Sequence, residues 1–130
     1  MATQHDLSTR SFKAGADLSA AQYHIMELSA TDTVTTCNDA ADVPIGILQN
    51  DPGVNQAATV ARGGKGVSKV VSDGSGTAIA VGDFIGTNAS GRGVKKTANN
   101  DWIVGRALDA SSANGVVIRV DLTYFGQLGA

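Results

Sequence analysis

The sequence is poor in the features that mark secreted, membrane-spanning or polyanion-binding proteins. Its 130 residues include one Cys, one Trp, two Tyr and three Phe, and ten basic residues nearly balance twelve acidic ones. A single cysteine forms no internal disulfide, and a formal net charge of −2 gives no field that attracts nucleic acid. No apolar run approaches the roughly 20 residues of a membrane span, and the first residues lack the apolar core of a signal peptide. We therefore expect no nucleic-acid partner, no membrane partner and no secretion.

The apolar content of 42% suits a single domain, although Ala and Val supply most of it. Small side chains bury little area each, so the core of such a domain gains modest free energy from hydrophobic burial. Contacts between subunits would add burial that one chain lacks. We therefore expect a homo-oligomer.

Short runs rich in β-branched residues recur about every ten residues, each bounded by Gly, Asn, Asp or Ser. These predicted strands cover residues 23–28, 33–37, 44–48, 57–61, 67–71, 84–86, 94–97, 102–108 and 116–122. In the last run Val116, Ile118, Val120 and Leu122 alternate with more polar positions and define a predicted core face. The predicted fold class is all-β, a small β-barrel or β-sandwich of short strands with an extended N-terminal arm.

The arm is predicted over residues 1–17, and the β-barrel-like domain over residues 18–130. The arm is polar and lacks sustained periodicity, with Leu7 and Phe12 as isolated apolar residues and Arg10 and Lys13 as cations beside them. Chain ends are often merely disordered. An arm with spaced apolar anchors can instead lie along a neighbour and add backbone hydrogen bonds to a sheet edge. We favour this second alternative and predict contacts to a neighbouring protein from these four residues.

Two segments of the chain resemble each other. The glycine strand around Gly46, its turn and the strand at 57–61 parallel the glycine strand around Gly105, its turn and the strand at 116–120. Either two copies of one β-unit are joined, or small β-proteins simply reuse strand, glycine and turn. The sequence alone leaves both interpretations open.

No arrangement of residues predicts catalysis, a cofactor or a metal ion. His5 and His24 lack partners at metal-ligand spacing, and Cys37 has no adjacent base. The glycines and lysines of residues 63–69 lack the order of a phosphate-binding loop and lead into a strand instead of a helix, so a hairpin turn is the better interpretation. We therefore predict that the protein is not an enzyme and carries no cofactor.

The order of these motifs resembles the capsid cement, or head decoration, protein family of tailed bacteriophages. The resemblance covers about residues 18–122 and is closest in AIAVGDFI at 78–85 and IVGRALDASSANGVVIRVDL at 103–122. It implies a β-barrel-like structural protein of the virion, similar in role to the head decoration protein of phage lambda. Such a protein is made in the host cytoplasm and binds the major capsid protein on the outer surface of the expanded shell, as a homo-oligomer expected to be a trimer. Leu7, Arg10, Phe12 and Lys13 then become candidate contacts to the capsid or to an adjacent copy.

Two other functions stay open. The first is another virion role, such as a head fibre base or a tail component, because short β-domains also serve there. The second is a carbohydrate-binding surface module, for which Tyr23, Trp102 and Tyr124 are the few aromatic residues able to form a ligand platform. Burial of their rings would count against this second function.

Overall fold

The computed structural model describes residues 7–129, and these form short β-strands joined by turns. The strands are β1 (Thr9–Ala14), β2 (Ile25–Ala30), β3 (Thr33–Thr36), β4 (Gly46–Leu48), β5 (Ala57–Arg62), β6 (Val67–Asp73), β7 (Phe84–Thr87), β8 (Gly93–Lys95), β9 (Trp102–Ile103), β10 (Gly105–Ala107), β11 (Asn114–Asp121) and β12 (Gly126–Gln127). One 3-10 turn, Leu122–Tyr124, precedes β12, and residues 7–129 contain no α-helix. The predicted all-β class is confirmed.

The strands close into two five-stranded barrels of identical topology. The first barrel has the order β1-β3-β2-β4-β5, and the second has the order β6-β8-β7-β10-β11. In each, the first and third strands of the unit pair in parallel, and every other neighbouring pair is antiparallel. β9 and β12 form a separate two-stranded sheet. The shared order and directions favour the interpretation that the chain contains two copies of one β-unit.

The glycine of each repeated strand has the same surroundings in both barrels. A Cβ added to Gly46 would lie 2.1 Å from the carbonyl oxygen of Ala61, and one added to Gly105 would lie 2.1 Å from that of Asp121. In both cases the strands approach too closely for any side chain at this point. The glycine shared by the two similar segments is thus required by the same close approach of strands in both.

The turn that enters the second strand of each unit is also repeated. The backbone N–H of Tyr23 donates to the carbonyl oxygen of Leu48 at 2.7 Å, and the N–H of Gly82 donates to that of Ala107 at 2.7 Å. Both Tyr23 and Gly82 have a positive φ, 66° and 94°. Glycine adopts this left-handed conformation without cost, whereas Tyr23 holds it against its ordinary preference.

Side-chain alternation divides the buried residues into a barrel interior and a layer between barrels. The first barrel encloses one cluster, which contains Phe12, Ala14, Met26, Val34, Leu48, Ala58 and Val60. Ile25 and Ile47, whose sequence neighbours Met26 and Leu48 point inward, belong instead to the cluster around Val70 in the second barrel. The two barrels therefore share one continuous apolar contact.

The N-terminal segment and the start of β11 differ from the sequence prediction. The extended arm over residues 1–17 is not confirmed, since β1 pairs with β5 and β3 inside the first barrel, and residues 1–6 lie outside the described part of the chain. Val116, predicted on the core face, is 39% exposed. The register of β11 against β6 shifts between Asn114 and Val116, so the regular alternation of β11 is interrupted at its start.

The turn after the glycine strand is fixed by a side-chain acceptor in both units. In the first unit Asn50 Oδ1 accepts a hydrogen bond from the N–H of Thr59 at 2.9 Å. In the second, Asp109 Oδ2 accepts from the N–H of Arg119 at 2.9 Å, and the carboxylate also accepts from the guanidinium of Arg119 at 2.9 and 3.0 Å. The side-chain hydrogen bond from Arg119 is the main cause that lowers the pKa of Asp109 to about 2. The second unit adds a bidentate ion pair to the shared turn.

We expect Asp109→Ala to lower the free energy of unfolding at neutral pH by about 1 kcal/mol, a value reduced from that of a buried pair because solvent screens the partly exposed groups. Because the pKa of the folded state lies below the unfolded value of 3.8, this contribution is complete above that value and is lost as the pH falls toward about 2. Urea denaturation of both proteins across this range measures it. Asp109→Asn should cost less, because the asparagine side chain keeps an acceptor oxygen like that of Asn50 in the first unit. An equal loss for Asp109→Ala at neutral and acidic pH would contradict the assignment.

Candidate functional site

The four residues predicted to make external contacts separate into two groups. Phe12 is 4% exposed inside the first barrel, and Leu7 packs partly buried against the cluster shared by both barrels. Arg10 and Lys13 are exposed on β1. Alternation along β1 turns Phe12 inward, so this residue is part of the core and presents no surface anchor.

Arg10 is held in place by two neighbours. Its Nη2 lies 2.6 Å from Oδ1 of Asp32, and its guanidinium carbon lies 4.7 Å from the centre of the Phe12 ring, which it covers. Arg10, Lys13 and Asp32 border a shallow cleft together with residues 55–57. This polar surface, with two cations and one carboxylate, is the part of the predicted contact that the fold leaves accessible.

An apolar groove lies beside the entrance to β4, and sequence reasoning did not identify it. Its volume is about 730 Å³, and its walls are Glu27, Leu28, Val43, Pro44, Ile45, Arg62, Gly63 and Phe125. We call it the 43–45 groove. Leu28 and Val43 are 52% and 54% exposed, so apolar area faces solvent here. The only sequence signal was the similarity of the two segments, in which Val43 has the position that Trp102 has in the second unit.

The rim of the 43–45 groove is acidic on one side. Burial first, and then the neighbouring carboxyl of Asp42, raise the pKa of Glu27. Asp42 Oδ2 accepts hydrogen bonds from the N–H groups of Asn38 and Asp39, at 2.9 and 3.0 Å. Within residues 7–129 neither Glu27 nor Asp42 forms an ion pair with a basic side chain. Two carboxyl groups therefore lie together beside the groove, and Arg62, which also lines it, forms an ion pair with neither of them.

Cys37 is enclosed at the contact between the barrels. It is 1% exposed, and burial is the main cause that raises the pKa of its thiol to about 12. The thiolate is the reactive form of cysteine, and a rise of this size lowers its population about a thousandfold relative to an ordinary cysteine with a pKa of 9.0. Cys37 thus behaves as a small core residue.

We expect Cys37 to resist a maleimide or disulfide reagent in the native protein at mildly alkaline pH. The same reagent should modify one thiol per chain after unfolding in guanidinium chloride. The labelling rates, followed by mass spectrometry, compare the two states directly. A native rate within about tenfold of the unfolded rate would show that the thiol is accessible and the burial wrong.

The remaining sequence candidates occupy structural positions. Residues 63–66 form the turn between β5 and β6, where Gly64 and Gly66 have positive φ, as the hairpin interpretation requires. Burial lowers the pKa of His24, and His5 lies outside the described residues. Within residues 7–129 no group of three or more His, Cys, Asp or Glu side chains is placed to hold a metal ion. The same part of the chain contains no helix of sufficient length and apolarity to cross a bilayer.

The aromatic rings do not form an open platform. Tyr23 packs against the shared cluster, with Nζ of Lys69 5.6 Å from the centre of its ring. The Tyr124 ring is half exposed, but the guanidinium of Arg106 lies 5.2 Å from its centre. Trp102 is half-buried in β9. This arrangement counts against a carbohydrate-binding surface.

Comparisons with known proteins agree with this fold. A family model described as phage cement protein matches residues 9–122. Among solved structures, the head fiber gp8.5 N base of bacteriophage phi29 superposes with a TM-score of 0.64 at 16% identity, over 95% of this chain and 99% of that one. Curated protein sequences give no match.

Proposed function

Because the chain belongs to the phage cement protein family, we propose that it binds the major capsid protein on the outer surface of the expanded phage shell and stabilises that shell. The family match over residues 9–122 is the observation that carries the proposal. Synthesis takes place in the host cytoplasm, and the protein then adds to the assembled particle. No catalytic step and no cofactor enter the mechanism.

The stabilisation follows from mass action. A protein that binds the expanded, assembled shell and has no affinity for free capsid subunits lowers the free energy of the assembled state by the free energy of its binding. Disassembly then requires the release of the bound copies as well as the separation of shell subunits. A rigid pair of closed barrels suits this role because it loses little conformational entropy on binding.

The protein acts as a homo-oligomer, which we propose to be a trimer. Three linked copies make each further contact with the shell partly intramolecular, so interfaces of moderate affinity combine into slow dissociation. The exposed apolar residues Val81, Val116 and Val117 supply surface for contacts between copies. Val81 lies before β7 and the other two lie on β11, so all three belong to the second barrel.

Arg10 and Lys13 contribute to the contact with the shell or with an adjacent copy. Both cations are exposed on one strand, and β1 is fixed by pairing on both sides, so the two charges are presented in a constant geometry. Such charges contribute more to association rate and orientation than to the final affinity.

Electron cryo-microscopy of expanded, undecorated capsids mixed with the purified protein tests the proposal. We expect added density on the outer shell, repeated at equivalent positions with local threefold symmetry. A shell that stays bare in the presence of the folded protein excludes the cement function. Density with another symmetry would support capsid binding and contradict the trimer.

A base for a head fibre is the second candidate function, favoured by the likeness of the fold to the phi29 head fiber base. A cement protein occupies most equivalent sites of a shell, whereas a fibre base carries a further domain or partner outward from its site. Quantitative mass spectrometry of purified virions, compared with the major capsid protein, gives the copy number. A low number together with a co-purifying fibre protein would favour the fibre base.

A further inference from the structure

The two β-units differ in the pairing of the segment that precedes the glycine strand. In the second barrel, β12 covers β9, with Gly126 opposite Ile103 and Gln127 opposite Trp102. The N–H of Leu128 then donates to the carbonyl oxygen of Asp101 at 2.8 Å. The segment that leads into the glycine strand of this barrel is therefore paired with the end of the chain itself.

The register of the two barrels identifies the equivalent segment in the first. The N–H of Ile45 donates to the carbonyl oxygen of Met26 at 2.8 Å, and the N–H of Val104 donates to that of Ile85 at 2.8 Å. Val43 and Pro44 of the first barrel therefore correspond to Trp102 and Ile103 of the second. No strand of residues 7–129 pairs with this segment, and the 43–45 groove lies beside it.

The segment retains backbone groups able to pair. Neither the N–H nor the carbonyl of Val43 hydrogen-bonds to another group of residues 7–129. Pro44 has no N–H, and a proline at an unpaired edge limits indiscriminate pairing with other strands. The segment thus combines a partial set of donors and acceptors with an apolar floor, which favours a specific extended partner.

We propose, on the basis of the function proposed above, that the 43–45 groove binds an extended segment of the major capsid protein, in the place that β12 occupies in the second barrel. Backbone pairing along Val43 aligns the segment, and its apolar side chains pack on Leu28, Val43 and Phe125. A Lys or Arg of the segment lies against the carboxyl groups of Glu27 and Asp42.

Charge favours the capsid protein over a second copy of this chain as the occupant. In the second barrel the covering segment is β12, and residues 120–130, which include it, contain no Lys or Arg. The same segment from another copy would bring no cation to Glu27 and Asp42. These carboxyls lack an ion-pair partner in residues 7–129, so a partner with a basic residue complements them.

Two matched substitutions test the groove. Val43 and Val54 are 54% and 55% exposed, but only Val43 lines the groove. We expect Val43→Asp to weaken binding to expanded capsids at least tenfold and Val54→Asp to change it less than twofold, with circular dichroism and thermal unfolding unchanged in both. Glu27→Gln should weaken binding severalfold and reduce its dependence on salt. Co-sedimentation with capsids at several salt concentrations measures all three variants.

The occupant is identified by crosslinking. Because Cys37 is buried, Val43→Cys provides one accessible thiol for a photoreactive maleimide, and Val54→Cys provides the control. Irradiation on capsids should attach residue 43 to one segment of the major capsid protein. Attachment to another copy of this chain, or an altered oligomeric state of Val43→Asp in light scattering, would assign the groove to self-association and overturn the proposal. Normal capsid binding by Val43→Asp would overturn the groove proposal and leave the cement function intact. Failure of the wild-type protein to bind capsids would instead contradict the cement function.

Discussion

Phe12→Ala is expected to lower the free energy of unfolding by about 3 to 5 kcal/mol, the cost of emptying a well-packed aromatic site. The Phe12 ring is buried among Met26, Val34 and Val60 in the interior of the first barrel. β1, which carries the ring, also closes this barrel through its pairing with β5. The substitution therefore leaves a cavity in a small core and weakens the strand that completes the barrel.

Urea denaturation followed by tryptophan fluorescence and circular dichroism measures the loss. Lys13→Ala, on the same strand with an exposed side chain, is the control and should change stability by no more than about 0.5 kcal/mol. If Phe12 were instead a surface contact to another protein, the two variants would be equally stable in isolation, and Phe12→Ala would lower only the affinity for that protein. Similar stabilities of the two variants would therefore contradict the burial of the Phe12 ring.

The position of β1 shows where prediction from sequence was limited. Its sequence, TRSFKA, contains two buried residues, Phe12 and Ala14, and the second is too small to give a clear alternation. Its partner β5 lies far along the chain, and its pairing with β3 is parallel, so no local turn indicates either contact. The polar residues of β1 point outward. This composition is also what a free arm would have.

The other strands were predictable because their signals are local. The β-branched runs that became β5, β6 and β7 are bounded by Gly, Asn, Asp or Ser, and the predicted bounds differ from the observed ones by only a residue or two. The run at 102–108 was predicted as one strand but is divided at Val104, where the chain changes partner from β12 to β7 and β11. Such a change depends on the tail and leaves no local pattern.

The 43–45 groove could not be predicted for a similar reason. One wall is Phe125, which reaches the groove from the C-terminal segment and lies so close to Gly63 that any side chain there would collide with the ring. The opposite wall is the segment before β4, whose missing partner is evident only by comparison with β9. The repeat of Gly46 and Gly105 was visible in the sequence, whereas the difference between the two units required the structure.

Gly46→Ala and Gly105→Ala are each expected to lower the free energy of unfolding by about 2 to 3 kcal/mol, as overpacking of a tightly fitted site does. At both positions the new Cβ would lie 2.1 Å from a backbone oxygen and 2.8 Å from a Cγ1, of Val60 or of Val120. The backbone oxygens belong to the paired strand, so relief requires the two strands to separate and to lose their hydrogen bonds. Gly76→Ala is the control, because no atom lies within 4 Å of its Cβ, and it should be neutral or slightly stabilising.

The two barrels are expected to unfold together. Ile25 and Ile47 of the first barrel pack in the same cluster as Val70 and Ile118 of the second, so loss of either barrel exposes part of the core of the other. Both glycine variants should therefore unfold in a single transition at lower denaturant concentration, with the same midpoint by fluorescence and by circular dichroism. Two separate transitions in the Gly46→Ala variant would mean that the second barrel is stable without the first. The rigid two-barrel body from which the chain presents its surfaces would then not be a single cooperative unit.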